Sequence, residues 1–231
     1  GEGSTVARVV DGSLHGHETT GIAGVANVGT DRNWCGSVFA CANWYAYGRL
    51  AWDHGLTSGA IAEEWIRRTF GHDPALVAPV KEMMLGSREA AVDYMTPLGL
   101  HHQMAEGHHY GPGPWVSQAR RADWTSTYYH RADANGIGFD RTAAGSNAVG
   151  QYFPPVAELF GNRDKVPENV LLWFHHVGWD HRMASGRTLW EELVAHYDAG
   201  VEAVRRMQAT WRSLEGRVDA ERYEEVRAFL A

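Results

Sequence analysis

The chain has 231 residues, of which 44% are hydrophobic and 21% charged, a composition typical of a soluble globular protein that buries a core. Its formal net charge of −7, with no cluster of Lys or Arg, argues against a nucleic-acid partner. No apolar run is long enough to cross a membrane, and the first ten residues do not have the pattern of a signal peptide. The absence of an initiator Met suggests a processed or excised chain.

The first thirty residues are rich in Gly, Ser and Thr. They contain two short β-branched stretches, residues 6–10 and 22–28, which are separated by glycines. This pattern predicts a connecting or docking segment with one or two short strands. We therefore divide the chain into a docking segment, residues 1–30, and a helical domain, residues 31–231.

Residues 31–53 form the most apolar stretch of the sequence, with rings and small residues interleaved at helical spacing. Trp44 lies off the main apolar stripe, so a second face is apolar as well. A helix that is apolar on every face is normally buried, which predicts a central helix covered by later elements. Polar residues at its beginning are the first place to look for a site: Asp31, Arg32 and Asn33, beside Trp34.

Capping residues predict the later helices. Thr57 or Ser58 begins one over residues 60–70, and Pro74 begins another that continues to Met95.

The last two helices begin at equally clear signals. Thr188 and Glu191 form a capping box that opens a helix to about Glu215, and Asp219 caps the final one. Between the two helical regions, Gly-rich and Pro-rich segments predict long ordered loops. The sequence thus predicts a mainly α, multi-helix domain with long ordered loops and at most a few short strands near the N-terminus.

If Cys35 and Cys41 are both helical, they lie on different faces of the helix, too far apart for a disulfide. Free thiols are typical of a reducing compartment, so we expect a cytoplasmic protein.

Histidines in the loops leave a metal site open as an alternative, because neutral imidazoles and carboxylates bind zinc and other transition metals. No HExxH or cysteine framework accompanies them, so the other interpretation is that the imidazoles hydrogen-bond the loop backbone. No cofactor is expected. The candidate ligands are His101, His102, His108 and His109 in one loop and His175, His176, Asp180 and His181 in another.

No pair of carboxylates stands out as catalytic. Glu63 with Glu64, and Glu191 with Glu192, are adjacent on helices and are most simply solvated. Asp140 with Arg141, and Asp180 with His181, are better placed because they lie in the loops, but neither pair carries a recognised motif.

Five strings in chain order resemble the C-terminal region of glycoside hydrolase family 67, the xylan α-1,2-glucuronidases. They are GIAGVANVGTDRNWCG (21–36), ANWYAYGRLAWD (42–53), PLGLHHQMAEGHHYGPGPW (97–115), YYHRADANGIGFDRTAAGSNAVGQY (128–152) and LLWFHHVGWDHRMASGRTLWEEL (171–193). Cys35 departs from the pattern, where we expect Thr or a similar small residue.

The resemblance implies that this chain wraps on a (β/α)8 barrel that has no counterpart in these residues. It implies an enzyme that removes 4-O-methylglucuronic acid from xylo-oligosaccharides with inversion, using carboxylates of the barrel. No residue of this chain is therefore assigned as catalytic. The implied partners are a xylo-oligosaccharide carrying glucuronic acid, the catalytic barrel domain of the same enzyme, and a second copy in a homodimer.

The resemblance also implies aromatic contacts on the xylose side of the cleft. The candidates are Trp34 with Arg32 and Asn33, then Trp44 with Arg49, although both tryptophans also fit a plain core role. Two other functions stay open: a free-standing xylo-oligosaccharide-binding or dimerisation module, and a metalloenzyme built from the loop histidines.

Overall fold

The computed structural model of the chain describes residues 3–26, 30, 35–101, 103–105 and 112–231. Within these ranges the protein is mainly α, as predicted. The helices are α1 (Val6–Val10), α2 (Ala40–Trp52), α3 (Ser58–Thr69), α4 (Pro74–Met95), α5 (Ser126–His130), α6 (Pro154–Gly161), α7 (Leu171–Phe174), α8 (Leu189–Arg212) and α9 (Ala220–Phe229). None of the helices in these ranges is both long and apolar enough to cross a membrane.

Two short strands, β1 (Gly136–Ile137) and β2 (Val177–Gly178), form an antiparallel pair. Neither strand lies near the N-terminus, where the sequence predicted at most a few short strands; residues 27–29 of the second β-branched stretch lie outside the described residues. Residues 6–10 form α1, whose first turn is capped by the Thr5 hydroxyl accepting from the backbone N–H of Arg8 at 3.2 Å. A side-chain cap of this kind favours a helix over a strand in a short β-branched segment.

The chain divides into two compact units. The first comprises Gly1–Ser87 with Val204–Ala231, and the second comprises Arg88–Ala203. The boundaries fall inside α4 and α8, and each unit has its own hydrophobic core.

The core of the first unit is built around Trp211, which is 1% exposed. Its ring centroid lies 5.9 Å from that of Phe39, 5.8 Å from that of Phe70 and 6.0 Å from that of Tyr223. The indole N–H donates to the backbone oxygen of Tyr223 at 3.0 Å, so the buried polar group is satisfied. The side chain of Trp211 in α8 therefore contacts the start of α2, the end of α3 and α9.

The prediction that α2 is buried on every side is wrong. Ala42 is its buried residue, and the Trp52 ring at its end is 87% exposed. Ala42 belongs to the same core as Trp65 and Ile66 of α3, so one face of α2 is covered. An apolar pattern shows which side chains gain from burial, but not which elements are present to cover them.

The predicted capping residues are confirmed. The Thr57 hydroxyl accepts from the backbone N–H three residues later at 3.2 Å. Glu191 accepts from the backbone N–H of Thr188 at 2.8 Å, and the Thr188 hydroxyl accepts in return at 3.3 Å, which completes the capping box. Asp219 caps α9 at 3.0 Å, and α8 ends at Arg212, about one turn earlier than predicted.

The two cysteines are free, but they are closer than predicted. Cys35 lies before α2 rather than within it, and its thiol is hydrogen-bonded to Cys41. Burial and then this hydrogen bond raise the pKa of Cys41.

The core of the second unit is formed by apolar residues of α7, β2 and the first turn of α8, including Leu172, Val177 and Leu189. In the described residues, long loops pack around this core, as the sequence predicts. The backbone N–H groups of Phe139 and Arg141 donate to carbonyls of α7 at 3.1 and 2.9 Å, which attaches the loop after β1 to that helix.

A glycine in α8 permits a close approach to α4 in the second unit. A methyl group added at Gly200 would lie 2.5 Å from the backbone nitrogen of Tyr94. We expect Gly200→Ala to lower the free energy of unfolding by about 1–3 kcal/mol, because the clash with backbone outweighs the gain in helix propensity. Gly86→Ala in α4 is the control, since no atom lies within 4 Å of the added methyl, and it should raise stability by about 0.5–1 kcal/mol. Urea denaturation measures both, and equal effects would contradict the close packing.

Candidate functional site

The predicted sugar-contacting residues fall into two groups. Arg32, Asn33 and Trp34 lie outside the described residues. Trp44 and Arg49 lie on α2 and are both partly exposed.

Trp44 contacts the segment that precedes α2. Its ring lies 5.8 Å from that of Tyr47 in an edge-on arrangement, and a methyl group added at Gly24 would come within 2.8 Å of the indole. The Tyr47 hydroxyl donates to the backbone oxygen of Ile22 at 2.9 Å. The two rings therefore hold residues 22–24 against α2.

Arg49 contacts α3 instead. Its Nε donates to Glu64 at 3.0 Å, and Arg68 also pairs with this carboxylate at 3.4 Å. The hydrogen bond that Arg49 donates to Glu64 raises the pKa of Arg49, whereas hydrogen bonds from Tyr45 and then Arg49 lower the pKa of Glu64. In the described part of the chain Trp44 and Arg49 thus contact different elements.

The structure gives no metal site within the residues it describes. His102, His108 and His109 lie outside them, and His101 is an exposed ring whose centroid lies 5.4 Å from that of Tyr129 and 5.2 Å from that of Trp173. Among the described residues no group of three or more His, Cys, Asp or Glu side chains is placed to hold a metal ion.

Histidines of the second candidate loop bind backbone oxygens, as the alternative interpretation predicts. His175 Nε2 donates to the carbonyl of Phe160 at 2.8 Å, and His176 Nδ1 donates to that of Gly138 at 2.9 Å. His130, which the sequence analysis did not single out, contacts the Pro114 carbonyl through Nε2 at 2.7 Å. No sequence motif identifies these rings, because their partners are distant along the chain.

Carboxylates of the described residues are mainly paired or act as caps. Wherever the pKa of one of them shifts, it is lowered, because hydrogen bonds and basic neighbours stabilise the ionised form. The residues concerned are Asp11, Glu63, Glu64, Asp123, Asp133, Glu158, Glu191, Glu192 and Asp219. This is the opposite of the raised pKa that a general acid needs near neutral pH.

A cluster of Arg side chains and aromatic rings in the second unit was not recognised from the sequence. Arg131 and Arg141 lie against the rings of Tyr128, Phe139 and Trp173 in the second unit, and we refer to these five residues as the Arg141 cluster. All five lie in two of the strings that carry the family resemblance, residues 128–152 and 171–193. The alternation of rings and Arg between residues 128 and 141 is the signal that was available.

The buried His175 generates a prediction about acid stability. Burial lowers the pKa of His175 from its ordinary 6.5, so the folded protein keeps the imidazole neutral while the unfolded chain takes up a proton. Stability from this residue is therefore present above pH 6.5 and is lost as the pH falls toward the lowered folded pKa. We expect His175→Gln, which keeps an N–H donor for Phe160 but does not titrate, to show a flatter dependence. Urea denaturation between pH 7.5 and 5 measures this, and equal slopes for the two proteins would contradict it.

Known proteins similar to this chain agree with the resemblance seen in the sequence. Residues 35–231 match the model of the glycosyl hydrolase family 67 C-terminus, and residues 1–34 match that of the family 67 middle domain. The chain is 40% identical over 228 residues to the probable alpha-glucuronidase A of Aspergillus oryzae, covering 96% of this chain and 26% of that protein. Alpha-glucuronidase A of Emericella nidulans is 39% identical over 231 residues, covering 98% of this chain and 26% of the relative.

The alpha-glucuronidase of Hypocrea jecorina is 40% identical over 228 residues, covering 96% of this chain and 26% of the relative. The chain thus spans about a quarter of the length of these curated relatives. Because the C-terminal model covers most of the sequence, the chain belongs to glycoside hydrolase family 67, as its C-terminal region preceded by a short part of the middle domain.

Proposed function

We propose that this chain is the accessory region of a xylan α-1,2-glucuronidase, and that the carboxylates that hydrolyse the glycosidic bond lie outside it. The substrate of the whole enzyme is then a xylo-oligosaccharide that carries 4-O-methylglucuronic acid. The names of the relatives support the activity. The observation that carries the accessory role is the state of the carboxylates in the described residues.

An inverting glycosidase needs one carboxylic acid that is still protonated near neutral pH and one carboxylate that activates water. The shifted carboxyl groups of this chain are instead held ionised by partners such as Lys81 and Arg67, which both contact Glu63. Such ion pairs also occupy the oxygens that would have to face the sugar. These groups are thus suited to stabilising helices rather than to transferring protons.

Apolar surface in the first unit supports a role in holding the catalytic domain. Val25 is 90% exposed and Trp52 87% exposed, and Val6 of α1 is also open to solvent. A cavity of about 560 Å³ lies beside Val6, and its lining includes Ala46, Leu50, Ile61 and Leu85 of α2, α3 and α4. Since α1 belongs to the part that matches the middle domain, we infer that the rest of that domain covers this surface.

The accessory role predicts that the 231-residue chain alone does not release methylglucuronic acid from aldouronic acids. The physical reason is that hydrogen bonds and basic partners hold the carboxylates with shifted pKa in the ionised form. Product analysis after prolonged incubation measures the reaction, with a polypeptide that includes the barrel as the positive control. Turnover by the isolated chain at a rate comparable to the control would contradict the proposal.

Sugar contact on the xylose side is a further part of the proposal, with Trp44 and Arg49 as the described candidates and Arg32, Asn33 and Trp34 beside them in sequence. Trp44 is partly exposed, and its ring packs on residues 22–24. Arg49 keeps donors beyond the one given to Glu64, because a guanidinium carries five N–H groups.

We expect Trp44→Phe to weaken xylotetraose binding about fivefold, because the smaller ring provides less stacking area while keeping the contact with Gly24. Tryptophan fluorescence of the 231-residue chain, titrated with the sugar, measures the affinity. Trp52→Phe is the matched control on the same helix and should leave the affinity unchanged. Unchanged affinity in Trp44→Phe would assign Trp44 to packing alone, and no binding by the unmodified chain would remove the free-standing sugar-binding alternative.

Homodimerisation and a cytoplasmic location complete the proposal. The free thiols Cys35 and Cys41 are compatible with a reducing compartment. The metalloenzyme alternative has no support among the described residues, since no ligand group is assembled there.

A further inference from the structure

The two cysteines of the first unit lie together at the beginning of α2. Cys35 precedes the helix and Cys41 lies in its first turn, and both side chains are free and partly exposed. The Cys41 thiol is hydrogen-bonded to Cys35. The sequence contains no other cysteine, so any disulfide within this chain joins these two residues. We refer to Cys35 and Cys41 as the thiol pair.

A left-handed turn brings Cys35 back toward the helix. Gly36 has a φ of +83°, a conformation that residues with a side chain rarely adopt, and no atom lies within 4 Å of a methyl group added there. The next residue, Ser37, accepts from the backbone N–H of Ala40 through its carbonyl at 3.1 Å and through its hydroxyl at 3.2 Å. The turn and the start of α2 therefore hold the thiol pair together.

The segment between the two cysteines is attached to other helices of the same unit. The backbone N–H of Val38 donates to Glu225 of α9 at 2.8 Å. Next along the chain, the Phe39 ring lies 5.9 Å from that of Trp211 of α8. A disulfide brings its two sulfur atoms to about 2.05 Å, which is a short approach for a pair that is already hydrogen-bonded. The fixed segment thus keeps the thiol pair ready to form a bond.

Cys35 is also the position at which this chain departs from the family pattern, where Thr or a similar small residue is expected. A hydroxyl at this position could still take part in a hydrogen bond with Cys41, but it cannot form a disulfide. The thiol therefore adds a redox chemistry that the expected residue lacks.

We propose that Cys35 and Cys41 form a reversible disulfide by exchange with a small disulfide oxidant such as glutathione disulfide, which clips the chain before α2 to the first turn of that helix. In the first step the Cys35 thiolate attacks one sulfur of glutathione disulfide, whose S–S bond breaks as one glutathione thiolate leaves. In the second step the Cys41 thiolate attacks the Cys35 sulfur of the mixed disulfide, and the second glutathione thiolate leaves. Two electrons pass from the cysteines to glutathione, and the two thiol protons pass through solvent to the departing thiolates.

The surroundings of Cys41 set the order of these steps. Burial first, then the hydrogen bond to Cys35 and, among charges, the Glu225 carboxylate raise the pKa of the Cys41 thiol. A thiol with a raised pKa provides less of the attacking thiolate, so Cys35 reacts first. The disulfide goes beyond the accessory role and does not depend on it, because it changes the stability of the first unit and not the hydrolysis of a sugar.

Equilibration of the 231-residue chain with defined ratios of oxidised and reduced glutathione tests the proposal. Alkylation followed by peptide mass spectrometry measures the fraction of the disulfide, once in native buffer and once in denaturing urea. We expect the equilibrium constant for the disulfide to be at least about tenfold larger in the folded protein, because folding already holds the two thiols together. An equal constant in the two conditions, or a larger one in urea, would overturn the proposal.

Oxidation should also stabilise the fold, since a bond that forms more readily in the folded state favours that state. We expect the urea midpoint of the oxidised protein to lie about 0.5 M above that of the reduced protein. Cys35→Thr, which introduces the residue expected from the family pattern, should have one midpoint in both redox buffers. The proposal fails if oxidation leaves the midpoint of the unmodified chain unchanged, or if Cys35→Thr responds to the buffer to the same extent.

Two glycine variants test the turn itself. Gly36→Ala should reduce the preference for the disulfide in the folded protein about threefold, because strain at a left-handed residue favours other turn conformations in which the thiols separate. Gly16→Ala is the matched control: Gly16 has a φ of +69° and no atom within 4 Å of the added methyl, but it lies outside the turn, so the preference should not change. Equal losses in the two variants would show that the turn does not hold the thiol pair and would contradict the proposal.

Discussion

The burial of Trp211 is the contact on which the first unit depends. Its ring fills the space between aromatic side chains from three other parts of the chain, and its N–H finds an acceptor inside the core. Because Phe39 packs there at the very beginning of α2, the helix is anchored by one end. The far end, with Trp52, remains on the surface. The aromatic-rich helix α2 can therefore be exposed at one end, because it is the other end that packs against Trp211.

Local chemistry explains what could be predicted from the sequence. The predicted N-terminal starts of four helices are confirmed, because the start of a helix depends on atoms within one turn of the chain. They are marked by Thr57, Pro74, Thr188 and Asp219. The burial of α2 was wrong, since periodicity says nothing about what covers a helix. The separation of the cysteines was wrong for a related reason: it assumed a helix that begins before Cys35.

The second unit illustrates why candidate sites are harder to predict than helices. His130, His175 and His176 reach carbonyls between 15 and 38 residues away, and this distance is invisible in a sequence pattern. His175 and His176, which suggested a metal, instead form hydrogen bonds with backbone oxygens. The Arg141 cluster shows the reverse case, because burial of a cation with no carboxylate partner in the described residues is a property of three-dimensional packing alone.

Contacts of Trp44 and Tyr47 cross the boundary between the two family models, which falls between residues 34 and 35. Both rings hold Gly24 and Ile22, which lie in the part that matches the middle domain. The boundary between the two family models therefore does not coincide with a boundary in the packing of the chain. If C-terminal regions were exchanged between relatives, this packing would be preserved only when the crossover precedes residue 22. Ile22 and Gly24 would then come from the same parent as Trp44 and Tyr47.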